Sequence, residues 1–214
     1  MQRVVCTMLA VAALSIGASN EMRAQNQPVR KLGPDAVASI QEAVPDPAFA
    51  TTTINRIAVL PFANRMEYKD AADIISKRLV SQLGQLQPQY KVTSPEELIN
   101  FLTEAKLEDS FNVFLGDFLN DNVAKQPFLG TLKAKLDIDA VLLGRITSYG
   151  IAKSGLLGRQ YIVGVELGLY RVSDARRIWI GRDRLAASKA TALPQAAEAV
   201  GEVFARFLGR LARS

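Results

Sequence analysis

Residues 56–62 read Arg-Ile-Ala-Val-Leu-Pro-Phe, a short apolar run that a proline interrupts. A run of this length between polar segments predicts a buried β-strand, and Pro61 closes it because proline has no backbone N–H to give to a neighbouring strand. We therefore place the first strand of the sheet at residues 57–62 and the start of the folded domain near Thr53.

Five segments downstream have the spacing of amphipathic helices. In residues 70–86, Ile75, Leu79 and Leu83 fall on one helical face. Ser94 with Glu97 three residues later, and Pro95 between them, predicts a helix that begins with a capping box. The other helices are predicted at residues 109–123 with a phenylalanine stripe, after Pro127 as far as Leu136, and at residues 194–213.

Four further apolar segments predict strands at residues 90–93, 140–147, 161–172 and 177–185. In residues 163–169 the odd positions are apolar and the even positions are small or polar, which indicates one better covered face of the sheet. The order β-α-β-α-α-α-β-β-β-α predicts an α/β (α+β) domain with helices packed on a single mixed sheet.

The N-terminus has the pattern of an export signal. Arg3 precedes an apolar run of 13 residues at positions 4–16, shorter than the roughly 20 residues of a membrane-spanning helix, and small residues follow it. We expect residues 1–24 to be a cleaved signal peptide, residues 25–52 a proline-rich linker or arm, and residues 53–214 the domain. Cys6 lies too early to carry a lipid, so we expect a periplasmic protein without a lipid anchor from this start codon.

The composition excludes several function classes. The 214 residues contain no histidine, and their one cysteine is Cys6, so the exported chain lacks the usual proton-transfer and thiol groups. The net charge of +5 comes from basic and acidic residues that read as mixed along the chain, which is not typical of a nucleic-acid-binding protein. We expect no enzyme activity, no catalytic residues, no metal and no cofactor.

Three places carry a resemblance to known proteins: the strand at 56–62, the helix-to-strand passage Leu-Asp-Ile-Asp-Ala-Val-Leu-Leu-Gly-Arg-Ile at 136–146, and the last hairpin with Trp179. Their order resembles the group of bacterial envelope proteins that includes CsgG, LpoB, PelC and the N-terminal domain of TolB. The resemblance implies a fold similar to an anticodon-binding domain. It also implies a non-catalytic protein that forms oligomers or docks on envelope machines.

Two sets of residues are candidates for binding a partner. Leu156 and Leu157 stand between Lys153 and Arg159 in the connection of a hairpin, where exposed leucines would contact a partner protein or a membrane surface. The alternative is that they fold back on the sheet edge.

The second set lies on the strands. Gly164 and Gly168, with Tyr170 and Arg182, would form a partner groove or subunit contact, because glycine in a strand allows close approach of another backbone. The alternative for the strand glycines is sheet twist, or cover by Trp179. Glu166 is an available ionic partner for the arginines, but the register between strands is unknown at this point.

Two acidic pairs have competing interpretations. Asp137 and Asp139 suit either a metal pair or a turn before a strand, and an isolated pair is few ligands for a metal. Glu166 and Asp183 are the candidates for a hydrolase that uses carboxylates alone. The function we expect is a periplasmic adaptor or assembly factor that contacts envelope proteins or copies of itself; the alternative is a small-ligand module that uses the sheet face.

Overall fold

The computed structural model describes residues 30–31, 46–47, 49, 52–63, 68–86, 89–121, 123–154, 158–187 and 192–211. Within these residues the helices are α1 (Lys69–Leu86), α2 (Pro95–Glu104), α3 (Glu108–Asp121), α4 (Gln126–Leu136) and α5 (Leu193–Leu211). The strands are β1 (Arg30–Lys31), β2 (Arg56–Val59), β3 (Lys91–Thr93), β4 (Ala140–Ser154), β5 (Gly158–Arg171) and β6 (Arg177–Ala187).

The six strands form one mixed sheet in the order β1-β6-β5-β4-β2-β3. Strand β2 pairs in parallel with β3 and β4, and β4, β5 and β6 follow one another as an antiparallel meander. The predicted fold class and order of elements are confirmed, and the short strand β1 is added ahead of them. None of the helices in the described ranges combines the length and the apolar character needed to cross a membrane.

Helices cover both faces of the sheet. One core contains Ile75, Leu79 and Leu83 of α1, Phe204 of α5 and Trp179 of β6. The other contains the apolar sides of α2, α3 and α4 against β2 and the first residues of β4. The spacing of apolar residues therefore predicted which side of each helix packs on the sheet.

The start of α2 agrees with its sequence pattern. The backbone N–H of Glu97 donates to Ser94 Oγ at 3.2 Å, and the N–H of Ser94 donates to Glu97 Oε2 at 2.7 Å. Pro95 occupies the first turn, where its missing N–H has no intrahelical partner in any case. The predicted capping box is confirmed.

The hairpin formed by β4 and β5 is longer than predicted. Residues 148–160 were expected to be a loop, but β4 continues to Ser154 and β5 begins at Gly158, and these two residues are paired. The prediction missed the extension because Gly150 and the polar residues around it hide the strand pattern. Tyr149 and Tyr161 pack against the core and continue the pairing, while Ile151 is 50% exposed.

The described part of the segment expected to be a linker contacts the domain: Phe49 packs against one core, Thr52 accepts a hydrogen bond from Arg171, and two further contacts involve β6. Strand β1 pairs in parallel with Leu185 and Ala186 of β6. Farther along, the N–H of Asp46 donates to the carbonyl of Ile178 at 2.9 Å, and the Asp46 carboxylate pairs with Arg176 at 2.8 Å. Both points lie on β6, so these parts of residues 25–52 line the edge of the sheet.

Candidate interaction surfaces

Three of the residues predicted to bind a partner lie in the interior. Tyr170 is 3% exposed, and its ring meets Phe118 edge-on, with the ring centroids 6.0 Å apart. A Cβ on Gly168 would lie 2.6 Å from the Tyr170 ring, and Gly164 is covered by Thr147 and Ser148. Burial raises the pKa of the Tyr170 phenol. Gly164, Gly168 and Tyr170 therefore do not form an exposed groove in this chain.

The other strand glycines are also covered by neighbouring side chains. A Cβ on Gly181 would lie 2.6 Å from the Trp179 indole, and a Cβ on Gly144 would lie 2.5 Å from the Phe62 ring. The interpretation in which Trp179 covers a glycine is correct. Glycine is used at these positions because large aromatic rings occupy the space above the backbone.

Arg182, the fourth predicted strand residue, belongs to a charged cluster across three strands. Arg145 of β4, Glu166 of β5 and Arg182 of β6 are directly opposite one another in the sheet. Glu166 Oε2 accepts from Arg145 Nη2 at 2.9 Å and from Arg182 Nε at 2.5 Å. The Glu166 side chain is only 6% exposed. One buried carboxylate thus compensates two arginines and ties the three strands together.

Of the predicted partner-binding residues in the β4–β5 hairpin, the structure describes only the backbone of Arg159. The backbone of Arg159 lies in β5, directly opposite Lys153 of β4. Leu156 and Leu157 are outside the described residues, as is the side chain of Arg159. Their role as a contact stays a prediction.

Asp137 and Asp139 organise a turn. Asp139 Oδ2 accepts the backbone N–H groups of Asn55 and Arg56 at 3.0 Å each, and Oδ1 accepts from Lys133 Nζ at 2.8 Å. Burial by itself would raise the pKa of Asp139, but these hydrogen bonds outweigh it and the pKa is lowered. Asp137 ends α4 with a φ of 56° and pairs with Lys133 at 3.2 Å.

This arrangement links the start of β2 to the end of α4. The carboxylates of Asp137 and Asp139 both form ion pairs with Lys133, and that of Asp139 also accepts two backbone N–H groups. The part of the chain that the structure describes contains no group of three or more metal-ligating acids, histidines or cysteines.

A groove between α3 and α4 was not predicted. Its volume is about 440 Å³, within the usual range for small binding sites. The buried rings of Phe114 and Phe128 form its floor, and Pro127 and Val113, which is 66% exposed, also line it. A sequence signal exists, because Val113 is an apolar residue outside the stripe of Phe111, Phe114 and Phe118, which is the face that α3 buries.

The rim of the groove is polar. Asp109, Ser110 and Thr131 lie along it, together with the ion pair between Asp117 and Lys125 at 3.1 Å. The groove therefore has an apolar floor and an acidic side on α3. This combination suits an apolar group that carries positive charge next to it.

Charge is divided between two regions of the chain, contrary to the expectation of an even mixture. Residues 95–121, which form α2 and α3, carry seven acids and one lysine, a net charge of −6. Residues 145–184, which form most of the β4–β6 meander, carry eight basic and three acidic residues, a net charge of +5. Counting charge over the whole chain hides this separation. Within residues 95–121, the acids that the structure leaves exposed are Glu96, Glu97, Glu104, Glu108, Asp109 and Asp121.

No protein-family model matches this sequence, and no curated protein matches it. Among solved structures, the PelC dodecamer from Paraburkholderia phytofirmans is similar over 79% of this chain and 94% of the PelC chain, with 18% identity and a TM-score of 0.50. The lipoprotein GNA1162 from Neisseria meningitidis covers 74% of this chain and 99% of its own, with 17% identity and a TM-score of 0.48. The expected resemblance is thus confirmed for PelC at the level of the fold. For CsgG, LpoB and TolB it stays a prediction.

Proposed function

We propose that this chain is a non-catalytic periplasmic protein that assembles with copies of itself and serves an envelope export or biogenesis system through protein contacts. The observation that carries the proposal is the fold shared with PelC, which extends over nearly the whole PelC chain. PelC is a dodecamer, so this fold supports a large homo-oligomer in at least one protein. The apolar run and small residues at positions 4–19 support export.

The separation of charge supports self-assembly independently of the fold. An acidic helix pair and a basic strand meander in one chain are complementary between two copies, and complementary charge increases both the rate and the specificity of association. When two different surfaces of identical chains meet without a two-fold axis between the copies, the contact is head-to-tail, and such contacts close into rings when the rotation permits. A closed ring is the form of assembly that we propose for this chain.

The positions of the acids argue against the carboxylate hydrolase. Glu166 lies opposite Arg182, so their side chains are on the same face of the sheet. Asp183 is the next residue along β6, and successive side chains of a strand point to opposite faces. Glu166 and Asp183 therefore project from opposite faces and cannot act on one bond, which supports a non-catalytic role.

The burial of the sheet face argues against the alternative that the protein binds a small ligand there. It required an open sheet face around Gly164, Gly168 and Tyr170, and these residues are buried. We therefore do not propose ligand binding at the sheet face.

Assembly is tested by light scattering of the protein purified from the periplasm, over a hundredfold range of concentration. We expect a mass of several subunits, each no larger than the 23.3 kDa of the full chain. In a second experiment, the protein is crosslinked mildly in cells and then captured, and we expect envelope proteins to be captured with it. A strict monomer over the whole range, with no retained partner, would overturn the proposal.

A further inference from the structure

Among the residues that the structure describes, none fills the groove between α3 and α4. Val113 is 66% exposed, next to the nearly buried rings of Phe114 and Phe128. Covering such a side chain is favourable because it removes apolar surface from water. The volume of about 440 Å³ accommodates a few side chains rather than a folded element.

The charge around the groove narrows the choice of occupant. Asp109 and Asp117 line it, and Asp117 is already paired with Lys125. Asp109 and its neighbour Glu108 are exposed and make no ion pair among the residues that the structure describes. A suitable occupant presents apolar side chains with a cation beside them.

The connection between β4 and β5 has this chemistry. Residues 153–159 read Lys-Ser-Gly-Leu-Leu-Gly-Arg, which places two leucines between two cations. The backbones of Lys153 and Arg159 are directly opposite each other in the hairpin, on either side of the connection. We propose that the α3–α4 groove of one copy receives Leu156 and Leu157 of a neighbouring copy, with Lys153 or Arg159 against Asp109. This inference rests on the proposed self-assembly and specifies its contact.

The length of β4 requires the occupant to come from another copy. The groove belongs to the core that contains Val141 and Leu143, near the start of β4. The hairpin connection follows Ser154, fourteen residues after Ala140. At about 3.3 Å per residue the connection lies about 45 Å along the strand from that start. A groove at one end and a hairpin connection at the other allow a head-to-tail contact, which leaves each copy free to bind a further copy on either side.

Disulfide crosslinking tests this contact directly. In a Cys6→Ala background the chain has no other thiol, so Val113→Cys with Leu157→Cys should form bonds only between the introduced cysteines. We expect oxidation to give a ladder of covalently linked chains that disappears on reduction. The matched control replaces Ile99, which is 47% exposed on α2 and does not line the groove. Ile99→Cys with Leu157→Cys should give no ladder.

Charge reversal provides a second, independent measurement. Asp109→Lys and Lys153→Glu, each alone, should weaken self-association about fivefold, the size of one exposed ion pair. The two changes combined in one chain should restore assembly, because the reversed charges attract again. Glu104→Lys is the control, since it is an exposed acid on α2 outside the groove.

The outcomes separate this inference from the proposed function. If the chain is a strict monomer, the proposed assembly fails and this contact fails with it. If the assembly persists while the cysteine pair gives no ladder and the combined reversal does not restore binding, the contact is wrong and the assembly stands. A fluorophore on Leu157→Cys that shifts to the blue with phosphatidylglycerol vesicles, and not with added protein, would assign the leucines to a membrane surface and overturn the contact.

Discussion

The face of the sheet under α1 and α5 and the face opposite are stabilised in different ways. The first is mostly apolar, from Ile57 at one side to Trp179 at the other, and the buried carboxylate of Asp183 lies on the same face of β6 as Trp179. The second changes along β5, from a core of phenylalanines around Tyr170 to the buried carboxylate of Glu166 between two arginines. The apolar face requires only that its side chains stay on the buried side of each strand, whereas the charged part also requires three specific residues to stand opposite one another. The comparison shows where the fold depends on burial and where it depends on alignment.

The largest effect is expected on the apolar face. Trp179→Ala removes a side chain that is 1% exposed and opens a cavity above Gly181, so we expect a loss of about 4 kcal/mol in the free energy of unfolding. Because this is the only tryptophan in the chain, unfolding is followed by circular dichroism in urea. A loss below about 1 kcal/mol would mean that this face is not the main source of stability.

The charged part of the opposite face is tested by Glu166→Ala. The change leaves Arg145, whose side chain is 17% exposed, without its carboxylate, and we expect a loss of about 3 kcal/mol. Asp174→Ala is the control, because that acid is 43% exposed in its pair with Arg171 and should cost less than about 1 kcal/mol. Equal losses in the two variants, measured by urea unfolding, would contradict the importance of alignment.

Glycine substitutions compare the space above the two faces. Gly181→Ala meets the Trp179 ring and Gly168→Ala meets the Tyr170 ring, each at 2.6 Å, so both should cost about 2 kcal/mol. Gly150→Ala is the matched control in β4, since nothing lies within 4 Å of its added Cβ. The melting temperatures of the three variants measure these losses of stability. If Gly150→Ala lowered the melting temperature as much as the other two, the strands would be intolerant of any added side chain, and the aromatic rings would not be the cause.

The smallest effect concerns Asp139, in the turn between α4 and β4, which accepts hydrogen bonds from the backbone at the start of β2. The pKa of Asp139 is lowered in the folded chain, so its charge stabilises the fold above the unfolded pKa of about 3.9 and this contribution is lost as the pH falls through the folded pKa. Asp139→Asn should cost about 1.5 kcal/mol at pH 7, and the difference from the unaltered chain should shrink below about pH 4. Urea unfolding of both proteins from pH 7 to pH 2.5 measures this difference in the free energy of unfolding. A difference that did not change with pH would mean that the charge of Asp139 does not contribute to stability.

Patterns within one element predicted the apolar parts of this molecule, and contacts between elements account for what was missed. The run at residues 57–62, the capping box at Ser94 and the phenylalanine stripe of α3 each depend on local spacing. The pairing of Glu166 with Arg145 and Arg182 depends on the register of three strands, which no single segment encodes. The cover of Gly168 by Tyr170 differs, because the two residues are neighbours on one face of β5 and only the rotamer of Tyr170 decides that its ring lies over the glycine.

The α3–α4 groove and the division of charge were also missed by the sequence analysis, for two different reasons. The groove exists because two helices leave a gap beside Val113, and the size of a gap depends on how the helices pack. The division of charge was present in the sequence, but a count over the whole chain conceals it, whereas counts over residues 95–121 and 145–184 reveal it.

The most direct test of the central claim is native mass spectrometry of the exported protein at low and high ionic strength. We expect closed assemblies of one defined number of subunits at low salt. Because exposed charges are screened, the assemblies should dissociate partly as salt is raised. A single species of one subunit, at no more than 23.3 kDa in both conditions, would contradict the account.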